Sequence, residues 1–263
     1  MLGVAVAAAV LGVLVATPNG NSSTPGLVAA YAFDEGSGVT VTDASGNSNS
    51  GTAVSSTWSS SGKYGKALSF NGTSSRVTIP DTASLHLSSA MTLEAWVRPS
   101  AVTNKWRDVI MKGNDNYYLE ATSNKSSRPA GGAIIGGSTT EAISTTALPV
   151  NTWTHLAATY DGSALRLYVN GNLTRTTAKT GAITASANAL TIGSDPYYGQ
   201  YFAGLIDEIR IYNTALTQAQ IQSDMATALD GSDTQAPSAP GTLSATAVSG
   251  SRLDLAWGAA TDN

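Results

Sequence analysis

Residues 43–49 read Asp-Ala-Ser-Gly-Asn-Ser-Asn, which sets oxygen-bearing side chains at Asp43, Ser45, Asn47 and Asn49 around Gly46. A hard cation such as Ca²⁺ gathers carboxylate, amide and backbone oxygens, and a glycine permits the sharp turn that brings them together. The closing Glu of an EF-hand loop is absent. The same spacing also suits an Asx-turn, in which Asp43 and Asn47 cap their own backbone. Asp207 is the second candidate. On a regular strand it shares a side with Leu205, Ile209 and Ile211, while Glu208 falls with Arg210. A carboxylate on an apolar side is costly unless it is paired, hydrogen-bonded or bound to a cation. Asp43, Asn47 and Asp207 are therefore expected to meet at a structural calcium site. A carboxylate held by backbone N–H groups is the alternative at Asp207.

Catalytic chemistry is thinly provided for. A retaining glycosidase holds two carboxyl groups roughly 5–5.5 Å apart over one sugar. Asp207 and Glu208 are sequence neighbours and point to opposite faces of a strand, and Glu94 stands alone in its segment. The chain has two histidines. His155 follows Trp153 in an apolar run and reads as a packed, hydrogen-bonded residue, and His86 lies in a loop-like stretch with no visible partner. The absence of Cys excludes disulfides, zinc-thiolate sites and cysteine nucleophiles. No catalytic residue is expected.

Aromatic residues in loops are better placed for recognition. Trp106 follows residues 101–105, Tyr118 follows residues 113–116, and Tyr197, Tyr198 and Tyr201 fall in or beside the turn 195–200. Rings lie against the C–H faces of sugars, and Trp and Tyr add a polar tip. Trp106, Tyr118, Tyr197, Tyr198 and Tyr201 are expected to line one exposed ligand-binding patch. The alternative is that a share of them plugs the ends of the fold.

The elements that must position these residues are strands. Met91, Leu93, Ala95 and Val97 alternate with Thr92, Glu94, Trp96 and Arg98, a period of two. Asp161-Gly162 and Asn170-Gly171 supply the positive φ angles of tight hairpins, so residues 153–161, 164–170 and the run that Asn170-Gly171 opens read as a three-stranded meander. One short helix is expected near the end, with Thr217 and Gln220 as a capping box and Ile221, Met225 and Leu229 as its apolar stripe. Many strands, one helix and no βαβ alternation imply an all-β, two-sheet antiparallel sandwich.

Composition agrees with an exterior β protein. Among 263 residues, 14 Lys and Arg face 18 Asp and Glu, a net charge of −4, which argues against nucleic acid as partner. Residues 1–25 read as an apolar leader and linker. Met1–Ala16 is too short for the ~20 residues of a membrane span, and reads either as a secretory signal core or as the edge of a fragment. Residues 26–228 form the main domain, 229–240 a Pro/Gly/Ser/Asp linker, and 241–263 two further strands of which the second ends at Trp257.

Several blocks carry a family resemblance. Residues 26–35 (GLVAAYAFDE), 43–51 (DASGNSNSG), 63–72 (KYGKALSFNG), 92–99 (TLEAWVRP), 151–162 (NTWTHLAATYDG), 165–171 (LRLYVNG) and 202–216 (FAGLIDEIRIYNTAL) occur in the order found in bacterial laminin-G-like jelly-roll domains, of the concanavalin A-like lectin/glucanase superfamily. Residues 237–263 resemble the opening of a fibronectin type III domain. The resemblance implies a jelly-roll sandwich whose first strand lies beside Leu205–Tyr212. It also implies a non-catalytic accessory module that binds carbohydrate or a cell-surface polymer, extracellular and part of a larger secreted or surface protein, with calcium common among its relatives. The E-x-D-x-x-E strand of the laminarinase-type members is missing here, so any catalysis is expected to belong to another domain of the parent. The rival expectation is a protein-binding adhesion domain or a structural spacer.

Overall fold

A computed structural model describes residues 25–229 and two further strands, Ser244–Ser249 and Arg252–Ala256. The expected leader at Met1–Ala16, residues 230–240 of the expected linker and Trp257 lie outside the described residues. In chain order the strands begin β1 (Leu27–Tyr31), β2 (Thr40–Val41), β3 (Gly51–Val54), β4 (Thr57–Ser59), β5 (Ala67–Asn71), β6 (Arg76–Ile79) and β7 (Met91–Pro99). They continue with β8 (Arg107–Lys112), β9 (Tyr117–Thr122), β10 (Ala130–Ile135), β11 (Ser138–Ile143), β12 (Thr154–Tyr160), β13 (Ala164–Val169) and β14 (Asn172–Ala178). Next come β15 (Leu190–Ile192), β16 (Ser194–Asp195), β17 (Gln200–Tyr201), β18 (Ala203–Tyr212) and the helix α1 (Gln218–Met225). The two separate strands, β19 (Ser244–Ser249) and β20 (Arg252–Ala256), pair antiparallel with each other.

Two eight-stranded antiparallel sheets make the sandwich. The first runs β14-β13-β12-β7-β18-β5-β4, with β1 also paired to β18, and the second runs β11-β10-β9-β8-β15-β6-β3-β2. The foreseen meander is β12-β13-β14, turned at Gly162 (φ 85°) and at Asn170 and Gly171 (φ 49° and 69°). The period-two residues of β7, Leu93, Ala95 and Val97, join Leu156, Leu167 and Ile211 in one core with Ile79, Ile110, Leu119 and Ile192 of the second sheet. Each such side chain gains roughly 1.5–3 kcal/mol on leaving water. Among the described residues no helix is long and apolar enough to cross a membrane.

β1 pairs with β18 from Leu27↔Tyr212 to Tyr31↔Ile209, which sets the two ends of the domain side by side. Its other edge would expose unpaired backbone groups. The loop of residues 43–49 covers that edge. Asp43 accepts the Ala30 N–H, Ser45 Oγ and Asn49 Nδ2 both donate to the Val28 carbonyl, and Asn47 Nδ2 donates to Leu27.

The helix keeps its capping box, with Thr217 Oγ1 accepting the Gln220 N–H and Gln220 Oε1 accepting the Thr217 N–H. Its apolar stripe is shorter than expected. The helix ends at Met225, so Leu229 lies beyond it, and Ile221 is its one buried residue. Ile221 packs with Ala157, Tyr168, Tyr212 and Leu216 on the outer side of the first sheet. The end of α1 is held by polar contacts instead: the Met225 carbonyl accepts from Tyr64 Oη and Trp96 Nε1.

Candidate functional site

The residues that come together lie on the solvent side of the second sheet. Along β9, Tyr117, Leu119 and Ala121 join the core, so Tyr118 and Glu120 point the other way. The register then builds a row across the strands. Tyr118 lies opposite Gly132 of β10, and Gly132 lies opposite Glu141 of β11. Tyr118 Oη donates to Glu141 Oε1 at 3.3 Å, spanning the glycine between them. The next row sets Asp108 of β8 opposite Glu120.

The hairpin β16–β17 supplies the roof. Asp195 Oδ1 accepts the N–H groups of Tyr197 and Tyr198, which fixes an Asx-turn and lifts both rings to the tip. Their centroids are 4.9 Å apart at 84°, edge to face. Arg107 Nη1 donates to the Tyr201 carbonyl at 2.8 Å and ties the hairpin to β8.

Between these elements lies a cavity of about 210 Å³ lined by Trp106, Tyr118 and Tyr198 together with Asp115, Glu120 and Glu141. Trp106, Tyr198 and Gln200 also border a second space of about 380 Å³, where Asn104, Lys105, Arg107 and Asn124 take over. The two spaces form a groove crossing the Trp106–Tyr198 pair. Of the five expected aromatics, three share the cavity. Tyr197 stands outside it against Tyr198, and Tyr201 sits in the return strand of the hairpin, its carbonyl engaged by Arg107.

The carboxylates were not foreseen. Asp108 is 0 % exposed and Glu120 2 % exposed, and neither Asp108 oxygen nor Glu120 Oε2 has a protein donor. Burial is the main cause raising both carboxyls; the hydrogen bond between the two lowers Asp108 and raises Glu120, so a single proton shared by the pair sits mainly with Glu120. Asp115 is raised by burial and by Asp195 and Glu141. Asp195 Oδ2 is a further buried oxygen without a donor. Glu120 was legible as Tyr118's partner in face, since YYLEAT alternates, but the register placing Asp108 beside it was not.

The residues expected to hold calcium are used otherwise. Asp43 Oδ1 accepts the N–H groups of Ala30 and Ser45, and Oδ2 accepts Ser45 Oγ and the Asn49 N–H, each at 2.9 Å. Asp207 Oδ2 accepts the Lys63 and Tyr64 N–H groups and Oδ1 accepts the Glu208 N–H. Burial pushes its carboxyl up to about 8, against those donors, which favour the charged form. The expected facing of Asp207 also changes. β18 bulges at Glu208 (φ 53°), so Ile206, Ile209 and Ile211 enter the core and Asp207 pairs across to Trp96 outside it. Asp43 and Asp207 share no partner, and among the described residues no three His, Asp or Glu side chains are grouped to hold a metal. This donor set does not fit a calcium ion.

His155 is packed as expected, edge-on to Trp96 at 5.3 Å, but neither ring nitrogen has a hydrogen-bond partner. His86 does have a partner, Asp81, at 3.0 Å.

The fold and these sites have relatives. Residues 71–222 match the family model of laminin G-like domains of the concanavalin A-like lectin/glucanases superfamily. The chain belongs to that family. Among solved structures it resembles domain 4 of an extracellular arabinanase of glycoside hydrolase family 43 from Geobacillus stearothermophilus, in complex with arabinotriose. That likeness is at 26 % identity and a TM-score of 0.61, covering 76 % of this chain and 98 % of that one. The binding domain of Paraclostridial Mosquitocidal Protein 1 shares the fold at 16 % identity and a TM-score of 0.63, covering 76 % and 52 %. Mouse (Mus musculus) pappalysin-1 is 36 % identical over 80 residues, 28 % of this chain and 5 % of its own length. Zebrafish (Danio rerio) adhesion G-protein coupled receptor V1 is 28 % identical over 141 residues, 49 % of this chain and 2 % of its own length. The match thus spans only a small part of these curated relatives.

Proposed function

We propose that this member of the concanavalin A-like lectin/glucanase superfamily is a non-catalytic carbohydrate-binding module of a larger extracellular protein. Its ligand lies in the groove at Trp106, Tyr118 and Tyr198. The observation that carries this reading is the convergence of three rings from three separate segments on one cavity, rimmed by side-chain acceptors and amides. Rings take the C–H faces of a sugar, while Glu, Asp, Asn and Gln take its hydroxyls. The arabinanase domain crystallised with arabinotriose supports a glycan as the ligand class. The extracellular arabinanase and the adhesion receptor support an exterior setting.

Catalysis is not part of the reading. Asp108 has no exposed surface and does not line the cavity, so of that pair only the Glu120 carboxyl reaches it. The test is titration of the 263-residue chain with arabinotriose and with a glycan array. Binding is expected on the order of 10⁻³ to 10⁻⁶ M, about −4 to −8 kcal/mol. Loss of binding in Trp106→Ala with an unchanged melting temperature supports the site. Cleavage of the bound glycan would show an enzyme, and capture of proteins with no glycan binding would favour an adhesion role.

A further inference from the structure

We propose that the cavity between Trp106, Tyr118 and Tyr198 selects a glycan bearing a free amine, seating its ammonium group against Glu120, Asp115 and Glu141. This rests on the carbohydrate-binding reading and adds the chemical class of sugar.

The argument begins with an imbalance of charge. Three carboxyl side chains line the cavity, and no Lys, Arg or His does so. Glu120, 2 % exposed, lines that space, and its buried Oε2 has no donor from another residue. On the adjacent strand Asp108, opposite Glu120, has no donor beyond the proton that the pair shares, and Oδ2 of the buried Asp195 has none. Buried polar groups are nearly always hydrogen-bonded, and a buried charge is costly unless an opposite charge accompanies it. The nearby cations are engaged or set apart. Arg107 donates to Tyr201 and borders the second space with Lys105, and Lys112 of the same strand is pinned to Asp81 and the Asn188 carbonyl.

The aromatic walls favour the same ligand. A cation over a Trp or Tyr face is drawn by the ring quadrupole, most strongly where water is excluded. A neutral hydroxyl would satisfy one acceptor but bring no positive charge to a cavity that three carboxyl side chains and no cationic side chain line. An ammonium group brings three donors and the opposite charge together. The groove then passes Trp106 and Tyr198 into a space lined by Asn104, Asn124, Lys105 and Arg107. Those amides suit hydroxyls and acetamido groups, and the two cations disfavour a second ammonium there. A partly de-N-acetylated amino-sugar chain, with one amine in the acidic cavity, fits both halves.

The experiment uses a paired array of glucosamine and galactosamine oligosaccharides in several linkages. Each carries one free amine and is matched with its fully N-acetylated twin. The 263-residue chain is expected to bind at least one amine form about tenfold or more tighter than its twin, about 1.4 kcal/mol. That preference should shrink in salt of about 1 M, where screening acts within ~3 Å. Glu120→Gln should lower binding of the amine form by more than that of its N-acetylated twin, so that the preference shrinks at least severalfold. Glu141→Gln, at a less buried position, keeps the test open if Glu120→Gln fails to fold. Equal binding of every pair, with neutral glycans still bound through Trp106, would overturn the amine proposal alone. Absence of binding to any glycan would remove the carbohydrate reading with it. Binding of a trimethyl-lysine peptide in place of every amine glycan would overturn the proposal in favour of a protein ligand.

Discussion

The ring of Tyr118 lies directly over Gly132: a Cβ built on that glycine would stand 2.1 Å from Tyr118 Cζ and 2.2 Å from Oη. The missing side chain lets the phenol cross β10 and reach Glu141. Gly132→Ala should therefore displace the ring and break the Tyr118–Glu141 hydrogen bond. Affinity for a glycan bound in the cavity is expected to fall at least about tenfold, with a stability loss of about 1–3 kcal/mol from overpacking. Calorimetric titration beside thermal melting checks both. Unchanged affinity would place the ligand elsewhere.

Tyr197 and Tyr198 offer an internal control, because they are neighbours with different surroundings. Tyr198 borders both spaces of the groove, whereas Tyr197 is 73 % exposed and touches its neighbour edge-on. Tyr198→Ala should cost roughly 1–3 kcal/mol of glycan binding. Tyr197→Ala should cost at most about 1 kcal/mol, the worth of one aromatic pair. Neither change should move the melting temperature. Equal losses from the two would mean that the tip of the hairpin, not the cavity, is the platform.

His155 gives the fold an acid sensitivity. Burial first, then the Arg210 and Lys63 charges, push its imidazole down to about 3. In the unfolded chain it titrates near ~6.5. Between those values the unfolded state binds a proton that the folded state refuses, so this contribution to stability is full above ~6.5 and lost as pH falls, by about 1.4 kcal/mol per unit. Urea unfolding from pH 7.5 downward should show a shallower decline in His155→Phe by about one proton. Identical slopes would mean that His155 is protonated in the folded chain.

Asp43 should act as a fastener with no need of metal. Its carboxylate takes four hydrogen bonds that hold the loop 43–49 on the free edge of β1. Asp43→Ala is expected to cost about 1.5–3 kcal/mol, the range for hydrogen bonds to a charged group. Calcium and chelator should leave the wild-type melting temperature alike. A bound ion at 100 times its Kd would add ~2.7 kcal/mol, so a rise with calcium that disappears in Asp43→Ala would restore the calcium site.

Much of the sandwich was legible because period-two alternation and hairpin dipeptides are local. The β12-β13-β14 meander and the capping box at Thr217 follow from a few adjacent residues each. Asp207 was misplaced because alternation holds only on an unbroken strand, and nothing in LIDEIR announces that Glu208 adopts a left-handed conformation and shifts the pattern. Trp106 and Tyr198 could be picked out as surplus loop aromatics, whereas Tyr118, expected in an exposed loop patch, lies within β9 and is 3 % exposed. Asp108, Asp115 and Glu141 could not, since their meeting depends on the register of β8, β9 and β11 across more than thirty residues. The double spacing at Asp43 was real, but it matched the backbone of β1, a segment more than ten residues upstream, better than a cation.

The pairing of Leu27 with Tyr212 also decides how the module answers a mechanical load. Tension applied through its two flanks reaches the N-terminal end of β1 and, by way of α1, the C-terminal end of β18, which are the same end of one antiparallel ladder. Inter-strand bonds there lie across the strands, so they peel in succession like a zipper and yield at low force. The groove belongs to β8, β9, β11 and the hairpin β16–β17, outside that ladder. With a polymer held in the groove as proposed, the domain would loosen at its seam, lengthening its tether, while the groove stays off the path of the force.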